Sequence, residues 1–470
     1  MKRRAICAGV AILAALALAG CANKKWSYRP PASPQLAKAG AWNTTPAGGA
    51  VVKPADDATL SHWWSTLGDP LLTSLEERAV KANLDVRVAE AKIREARASR
   101  EAARGALFPS LTGSVSGTGS RLSTRQGGLV SQSYAATLDA SWEPDFFHGL
   151  RSTVAASQAN LEAAQENLRN TLVTLTGDVA LDYVDLRSYQ AQLAVTKDNL
   201  AKYEATYEMT VEKYDVGLAP ALDVEQALET VQSTRAEIPS LETSIRQALD
   251  AIAVLLGEKP GAVDAELAAV KPVPSIPAEV AVGIPADLVR RRPDIRSAER
   301  QYAAQWAQVG VARANLYPTF LLSGTFAFGS GNILNLLTPA TLASSVAGSV
   351  TQTLLNRKQL REQLNLQNAT LDQTEASYES TVLGAIRDVE DALQAFGAEQ
   401  DRHKSLAEAT KSAETAAEMS RELYRTGLKD FLTVLDSERS VLSLQESLVQ
   451  SDATITENLI RLYKAMGGGW

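Results

Sequence analysis

Cysteine is nearly missing from this chain: Cys7 and Cys21 are the only two among 470 residues, and Cys7 lies inside an N-terminal leader. With one cysteine left once the leader is removed, no disulfide staples the fold, and stability has to come from packing or assembly. Histidine is almost as scarce. His62, His148 and His403 are scattered, and no HExxH, CxxC, GxSxG or P-loop spacing occurs. That argues against an enzyme, and no metal or cofactor is expected. Beyond Cys21 the chain also lacks an uninterrupted apolar run of the roughly 18 residues that a spanning helix needs. If it crosses a membrane, strands must do so. A net charge of −7 offers nucleic acid no basic surface, so no nucleic-acid partner is expected.

What is present begins with the leader. Met1-Lys2-Arg3-Arg4 is a short basic region, the run from Ala5 to Leu18 is apolar, and Ala19-Gly20 precedes Cys21. Residues 1–20 read as a signal peptide, too short and wrongly flanked for a spanning helix. The Leu18-Ala19-Gly20-Cys21 ending resembles a bacterial lipobox, which implies cleavage before Cys21 and lipidation of that residue. Ala22 stands where many inner-membrane lipoproteins carry aspartate, so delivery to the outer membrane is expected. Residues 21–60, with Pro30, Pro31, Pro34, Pro46 and Pro54 and no apolar period, read as an extended lipidated tether.

The body of the chain is written twice. Leu107-Phe108-Pro109-Ser110 returns as Leu316-Tyr317-Pro318-Thr319, and Tyr214-Asp215-Val216-Gly217-Leu218 returns as Tyr424-Arg425-Thr426-Gly427-Leu428. A displacement of roughly 210 positions is far longer than a solenoid period and implies two similar halves. The first repeat is residues 61–257 and the second 286–470. Between them residues 258–285, with Pro260, Pro272, Pro274, Pro277 and Pro285, form a linker.

Each repeat carries the same parts: a helix, a strand pair and a long helical hairpin. A helical pattern runs from Asp69 to about Gly105 and stops at Phe108-Pro109. Tyr134, Ala136, Leu138, Ala140 and Trp142 then alternate with small or polar residues, as Leu322, Phe326 and Phe328 do in the second repeat. This period of two marks strands with one apolar face, and each repeat supplies a pair, giving four per chain. Trp142, Phe146 and Phe147 suit either a core or an interfacial girdle. No proline interrupts 151–214, where Leu172, Val179, Leu186, Leu193, Leu200, Tyr207 and Tyr214 fall every seventh residue. Such a ladder predicts coiled-coil-like packing over about 95 Å. After the Gly217 turn the return reads Val224, Val231, Ile238, Ile245, Ile252, and after the Gly427 turn Val434, Val441, Leu448, Ile455, Leu462. Pro239, inside the first return, predicts a kink.

Four strands cannot close a transmembrane barrel, and bare edges cannot face lipid. Two copies would give a barrel of eight strands, filled by side chains, whereas three give twelve strands and room for water. The expected fold is therefore mixed: an all-α tunnel plus a transmembrane β-barrel, assembled as a homotrimer with twelve strands and twelve tunnel helices.

These residues carry a family resemblance. The lipobox, Trp63-Trp64 before Gly68-Asp69-Pro70, Gly283-Ile284-Pro285-Ala286-Asp287-Leu288 followed by Arg290-Arg291-Arg292-Pro293-Asp294-Ile295-Arg296, and the ending Leu462-Tyr463-Lys464-Ala465-Met466-Gly467-Gly468-Gly469-Trp470 closely resemble TolC-type outer-membrane factors. The nearest branch is the lipoprotein, NodT-like one of resistance-nodulation-division efflux systems. The resemblance implies a channel-tunnel anchored in outer-membrane lipid and docked to a periplasmic adaptor and an inner-membrane transporter. It would be a passive exit duct for drugs or other small molecules. Protein secretion of type I and a pore-free envelope spacer are the alternative readings. The arginines of the motif are expected to form salt bridges between helices.

The turns at Gly217 and Gly427 lie farthest from the strands along each hairpin, so the periplasmic mouth is expected there. The resemblance places Leu432 and Asp436 on its narrowest ring, where three carboxylates would attract cations. Relatives with a double acidic gate carry a second carboxylate where this chain has Thr433; Asp223 is the aligned residue of the first repeat. The resemblance further implies gate-locking contacts from Tyr424 and Lys429 to the neighbouring hairpin near Leu222 and Asp223.

Overall fold

The computed structural model describes residues 28–31, 42–53, 56–121, 123, 128, 130–286 and 291–470. The expected leader, the expected lipidation residue Cys21 and Arg290 lie outside them. In chain order the main elements are β1 (Ala50–Val52), α1 (Pro70–Ala82), α2 (Leu84–Gly105), β2 (Ser110–Arg121), β3 (Val130–Trp142), α3 (Gly149–Asp215), α4 (Ala221–Leu255), β4 (Val280–Val282), α5 (Pro293–Ala314), β5 (Thr319–Ser330), β6 (Leu342–Thr351), α6 (Arg357–Arg425) and α7 (Phe431–Ala465). The compact units are not the repeats. One gathers Ala103–Ala156 and Ala303–Leu371, the other Ser157–Tyr302 and Asp372–Trp470 with the described residues from 42 to 102. Each repeat contributes to both.

The first unit holds an antiparallel sheet in the order β2-β3-β5-β6. The repeats join along β3 and β5, with Leu138 opposite Phe326 and Trp142 opposite Leu322. Facing residues share a side of the sheet, so Val115, Leu138, Phe326 and Val346 stand on one face across all four strands. The other face is a polar ladder. Ser114 and Thr137 exchange a hydrogen bond at 2.7 Å, Thr137 donates to Asp139 at 3.2 Å, and Thr325 donates to Asp139 at 2.7 Å. The period of two in the sequence is realised on both faces. β2 and β6 are exposed along their whole length and have no strand on their outer edges among the described residues. Next to the strands Phe147 stacks on Tyr317 (4.8 Å), Phe146 meets Phe320 edge-on (5.0 Å), and the Trp142 indole donates to the Leu107 carbonyl (3.0 Å).

The second unit is helical. The pattern expected from Asp69 to Gly105 is interrupted at Asn83. Its side-chain oxygen accepts the amides of Asp85 (2.8 Å) and Val86 (3.2 Å), starting a new helix, while its amide donates to Leu255 O (2.9 Å). A polar side chain that satisfies fresh helix donors makes a break that apolar spacing does not reveal. Asp69 caps α1 through Leu71 N (2.8 Å) and accepts from the Tyr183 hydroxyl (2.6 Å). Tyr183 in turn receives the fully buried Arg187, which also donates to Ala269 O (2.7 Å).

The largest apolar core collects Trp63, Leu72, Val179, Leu186, Ile252, Phe396, Leu459 and Leu462 from both repeats. Trp63 stacks on Tyr463 at 5.3 Å. The proline-rich connection 258–285 is part of this core: Val263, Leu267, Val280 and Val282 are buried in it. Proline denies that segment a long helix, yet its aliphatic side chains still leave water. The end of the tether is anchored too. β1 pairs in parallel with β4, the Trp42 indole donates to Gly283 O (2.6 Å), and Glu390 accepts the amides of Asn43 (2.7 Å) and Thr44 (2.9 Å).

α3 and α4 form one hairpin and α6 and α7 the other; at 1.5 Å per residue the 67 residues of α3 span about 100 Å. α4 continues through Pro239, whose carbonyl accepts the Thr243 hydroxyl (2.8 Å). Arg292 ties the start of α5 to two other helices, pairing with Asp294 (2.7 Å) and Asp388 (3.3 Å) and donating to Ala465 O (2.9 Å). The salt bridges expected of the arginine motif are present at this residue. No helix among the described residues is long and apolar enough to cross a membrane.

Candidate channel gate

Both hairpin turns are built on the same backbone. Gly217 and Gly427 take the left-handed conformation, with φ of 76° and 78°. Leu218 N reaches back to Lys213 O (2.7 Å) and Leu428 N to Leu423 O (2.8 Å). These bonds satisfy carbonyls that a helix end leaves open, and glycine adopts the required φ at the least steric cost.

The helix starts beyond the two turns differ. α4 starts at Pro220, which offers no capping side chain. α7 starts at Asp430, whose carboxylate accepts Thr433 N (3.1 Å) and the Thr433 hydroxyl. Those bonds hold the exposed Asp430 carboxyl below the usual range. Asp223, near the start of α4, is pushed up, first by burial and then by the charge of Asp430. Thr433 is thus engaged in a helix cap.

Leu432 and Asp436 stand one helical turn apart on the exposed side of α7, with Leu432 53% exposed. The opposite side is buried: Phe431, Val434 and Leu435 join Ala227 and Tyr424 in a small apolar core. Tyr424 therefore points inward. Its ring meets Phe431 edge-on (5.7 Å), the Lys213 ammonium sits 4.2 Å from its centroid, and the same ammonium donates to Tyr424 O (2.5 Å). Its hydroxyl is enclosed near Thr210 with no well-formed hydrogen bond. Burial foremost, and the charge of Asp223 after it, push that phenol up. Lys429 is exposed and its charge acts on Asp430. Leu432 and Asp436 are thus brought together on one face, Asp223 lies within electrostatic reach of Tyr424 and Asp430, and Lys429 stays at the surface.

Sequence reading missed Lys213 and a buried polar group just above the gate. Glu438, only 4% exposed, accepts the Thr206 hydroxyl (2.9 Å) and pairs with Arg421 (3.0 Å), while its backbone carbonyl accepts the Tyr203 hydroxyl (3.0 Å). A signal existed, because position 438 is four residues beyond Val434 and so falls on the inward seam of its own ladder. A carboxylate there needs partners. Along residues 191–215 of α3 the positions buried within the chain are Thr196, Asn199, Tyr203, Thr206 and Thr210, whereas Leu193, Leu200 and Tyr207 of the apolar ladder are half-buried there and Tyr214 is exposed.

Comparison with known proteins places this geometry. The family described as Outer membrane efflux protein matches residues 75–258 and 284–468, the two repeats in turn. Nodulation protein T of Rhizobium leguminosarum bv. trifolii is 34% identical over 464 residues, covering 97% of this chain and 96% of that one. The toluene efflux pump outer membrane protein TtgF of Pseudomonas putida is 31% identical over 468 residues, covering 98% and 96%. Among solved structures, the outer-membrane channel OprN superposes with a TM-score of 0.86 at 32% identity, covering 94% of this chain and 98% of its own.

Proposed function

The chain belongs to the outer membrane efflux protein family, and from that membership we propose that it is the outer-membrane duct of a tripartite efflux pump. In this reading three copies close a twelve-stranded barrel in the outer membrane and a twelve-helix tunnel in the periplasm, anchored by lipid on Cys21. A periplasmic adaptor and an energised inner-membrane transporter deliver small amphipathic compounds to it. The duct itself is passive and uses no cofactor.

One observation carries the reading: a four-stranded sheet with a continuous apolar face and two outer edges that no other described strand covers. An open edge bordered by exposed valines is an aggregation hazard unless other strands cover it, and in lipid the only stable cover is closure. The half-buried ladder Leu193, Leu200, Tyr207 supplies a second surface for lateral neighbours. A pore-free spacer leaves the strands without a purpose. The relative named for toluene efflux favours small molecules over a type I secretion cargo.

Leu432 and Asp436 would form the gate ring, with Asp223, Tyr424 and Lys429 setting how the two hairpins meet beside it. Planar-bilayer recording of the detergent-purified protein tests the whole reading. A trimer should give small, cation-selective channels, and Asp436→Ala should enlarge them and weaken their selectivity. A monomer that passes no current overturns the proposal.

A further inference from the structure

Two residues beyond the exposed Asp436, α7 turns a carboxylate into the interior. Glu438 is buried where α3, α6 and α7 meet, and each neighbour contributes a partner. From α3 come the Thr206 hydroxyl (2.9 Å), the Tyr203 hydroxyl on the Glu438 backbone carbonyl (3.0 Å) and the positive field of Lys202. From α6 comes Arg421 at 3.0 Å. On α7 itself the adjacent Arg439 is turned away to Glu229 and Thr230 of α4. The cluster places a carboxylate out of water within two helical turns of the gate-bearing start of α7.

We propose that Glu438 is a positioning residue of the gate, the interior anchor that fixes Leu432 and Asp436 by holding the first turns of α7 against α3 and α6. The proposal rests on the duct reading above. It differs from the contacts at Asp223, Tyr424 and Lys429, which lie at the turns; this one lies inside the wall. Opening that moves α7 away from α3 has to break the Thr206 and Arg421 contacts, and a buried group whose partners are removed is costly to leave in place.

The same burial gives the anchor a pH response with a definite sign. Desolvation pushes the Glu438 carboxyl above its ordinary range, outweighing the opposing effects of Thr206, Arg421 and Lys202. The docked helix therefore takes up a proton more readily than a helix lifted into water. Acid holds α7 in place, and raising the pH through the elevated pKa favours release.

Planar-bilayer recording of the full-length trimer across a pH series, with salt fixed, tests this in three proteins. Wild type should open more often as pH rises. Glu438→Gln keeps an acceptor for Thr206 without a titrating charge, so its opening should stay at the low-pH level throughout. Glu438→Ala removes the anchor and should raise open probability about tenfold at low pH, the change expected for loss of about one hydrogen bond. A Glu438→Gln trimer that keeps the full wild-type pH slope overturns the proposal, because the slope then belongs to Asp436 or other carboxylates. An assembled Glu438→Ala trimer with wild-type opening overturns it as well. If Glu438→Ala does not assemble, the glutamine slope alone decides. A wild-type trimer without current overturns the duct reading itself, a result distinct from either variant outcome.

Discussion

The two hairpin turns share a backbone and divide the chemistry between them. Gly217 and Gly427 have φ values within a few degrees of each other and the same reach-back hydrogen bond. Beyond them the matched positions part company: Pro220 against Asp430, Ala221 against Phe431, Asp223 against Thr433, Gln226 against Asp436, Leu228 against Glu438. Only the second turn has a side-chain cap, an aromatic anchor and an interior carboxylate. Duplication supplied a shape that packs against itself, and the side chains then made one copy the anchored, charged one. In a threefold assembly the level of Asp436 would carry three carboxylates and three Gln226 amides, not six carboxylates.

The strongest way to break the comparison is to remove the anchor that only one turn has. Phe431 is 2% exposed in the core with Tyr424 and Val434, whereas Ala221 is at the surface. Phe431→Ala is expected to destabilise the second turn by about 3–5 kcal/mol, seen as faster amide exchange and proteolysis there. Ala221→Phe should stay within about 0.5 kcal/mol. Comparable effects at both sites would mean that the turns are held in the same way.

A smaller effect sharpens the shared half of the comparison. A Cβ on Gly217 or Gly427 would meet nothing within 4 Å, so alanine at either site is penalised only by its left-handed backbone. Both variants should lose about 1–2 kcal/mol and lose it equally, by local hydrogen exchange. A clear difference between them would show that one turn tolerates another conformation.

How far the sequence reached obeys the same division. Periodic features were legible: the seven-residue ladders gave the hairpins, and the alternation around Leu138 and Phe326 gave the sheet face. Features made by single polar contacts were not. Asn83 splits a helix through two backbone amides, and Glu390 pins the tether through two more. Neither leaves a periodic trace. The linker core of Val263, Leu267, Val280 and Val282 was hidden because its aliphatics are too far apart to set a period. At the gate, Leu432 and Asp436 came from a family motif; the structure shows them on one exposed face of α7. The inward turn of Tyr424 depends on Lys213, which lies more than two hundred residues earlier in the chain.

The smallest expected effect concerns pH at the two helix starts. Asp430 is held below the usual carboxylate range by Thr433, so its capping contribution is present above the unfolded value of about 3.9. It is lost as pH falls through the lower folded value. Asp223 runs the other way: its carboxyl is raised by burial and by Asp430, so taking up a proton favours the folded turn. Pro220 has nothing to titrate. Acidification to below about pH 4 should therefore loosen the start of α7 while leaving the start of α4 intact, once exchange rates are corrected for their intrinsic pH dependence. The Thr433 amide, bonded to Asp430, and the Asp223 amide, bonded to Pro220 O, report the two sites. Asp430→Asn, which can still cap but cannot titrate, should abolish the pH dependence at Thr433 and keep its protection. If Thr433 protection in the wild type does not change across the acid range, the cap is not what distinguishes the second turn, and its extra order must be assigned to Phe431 and Glu438 alone.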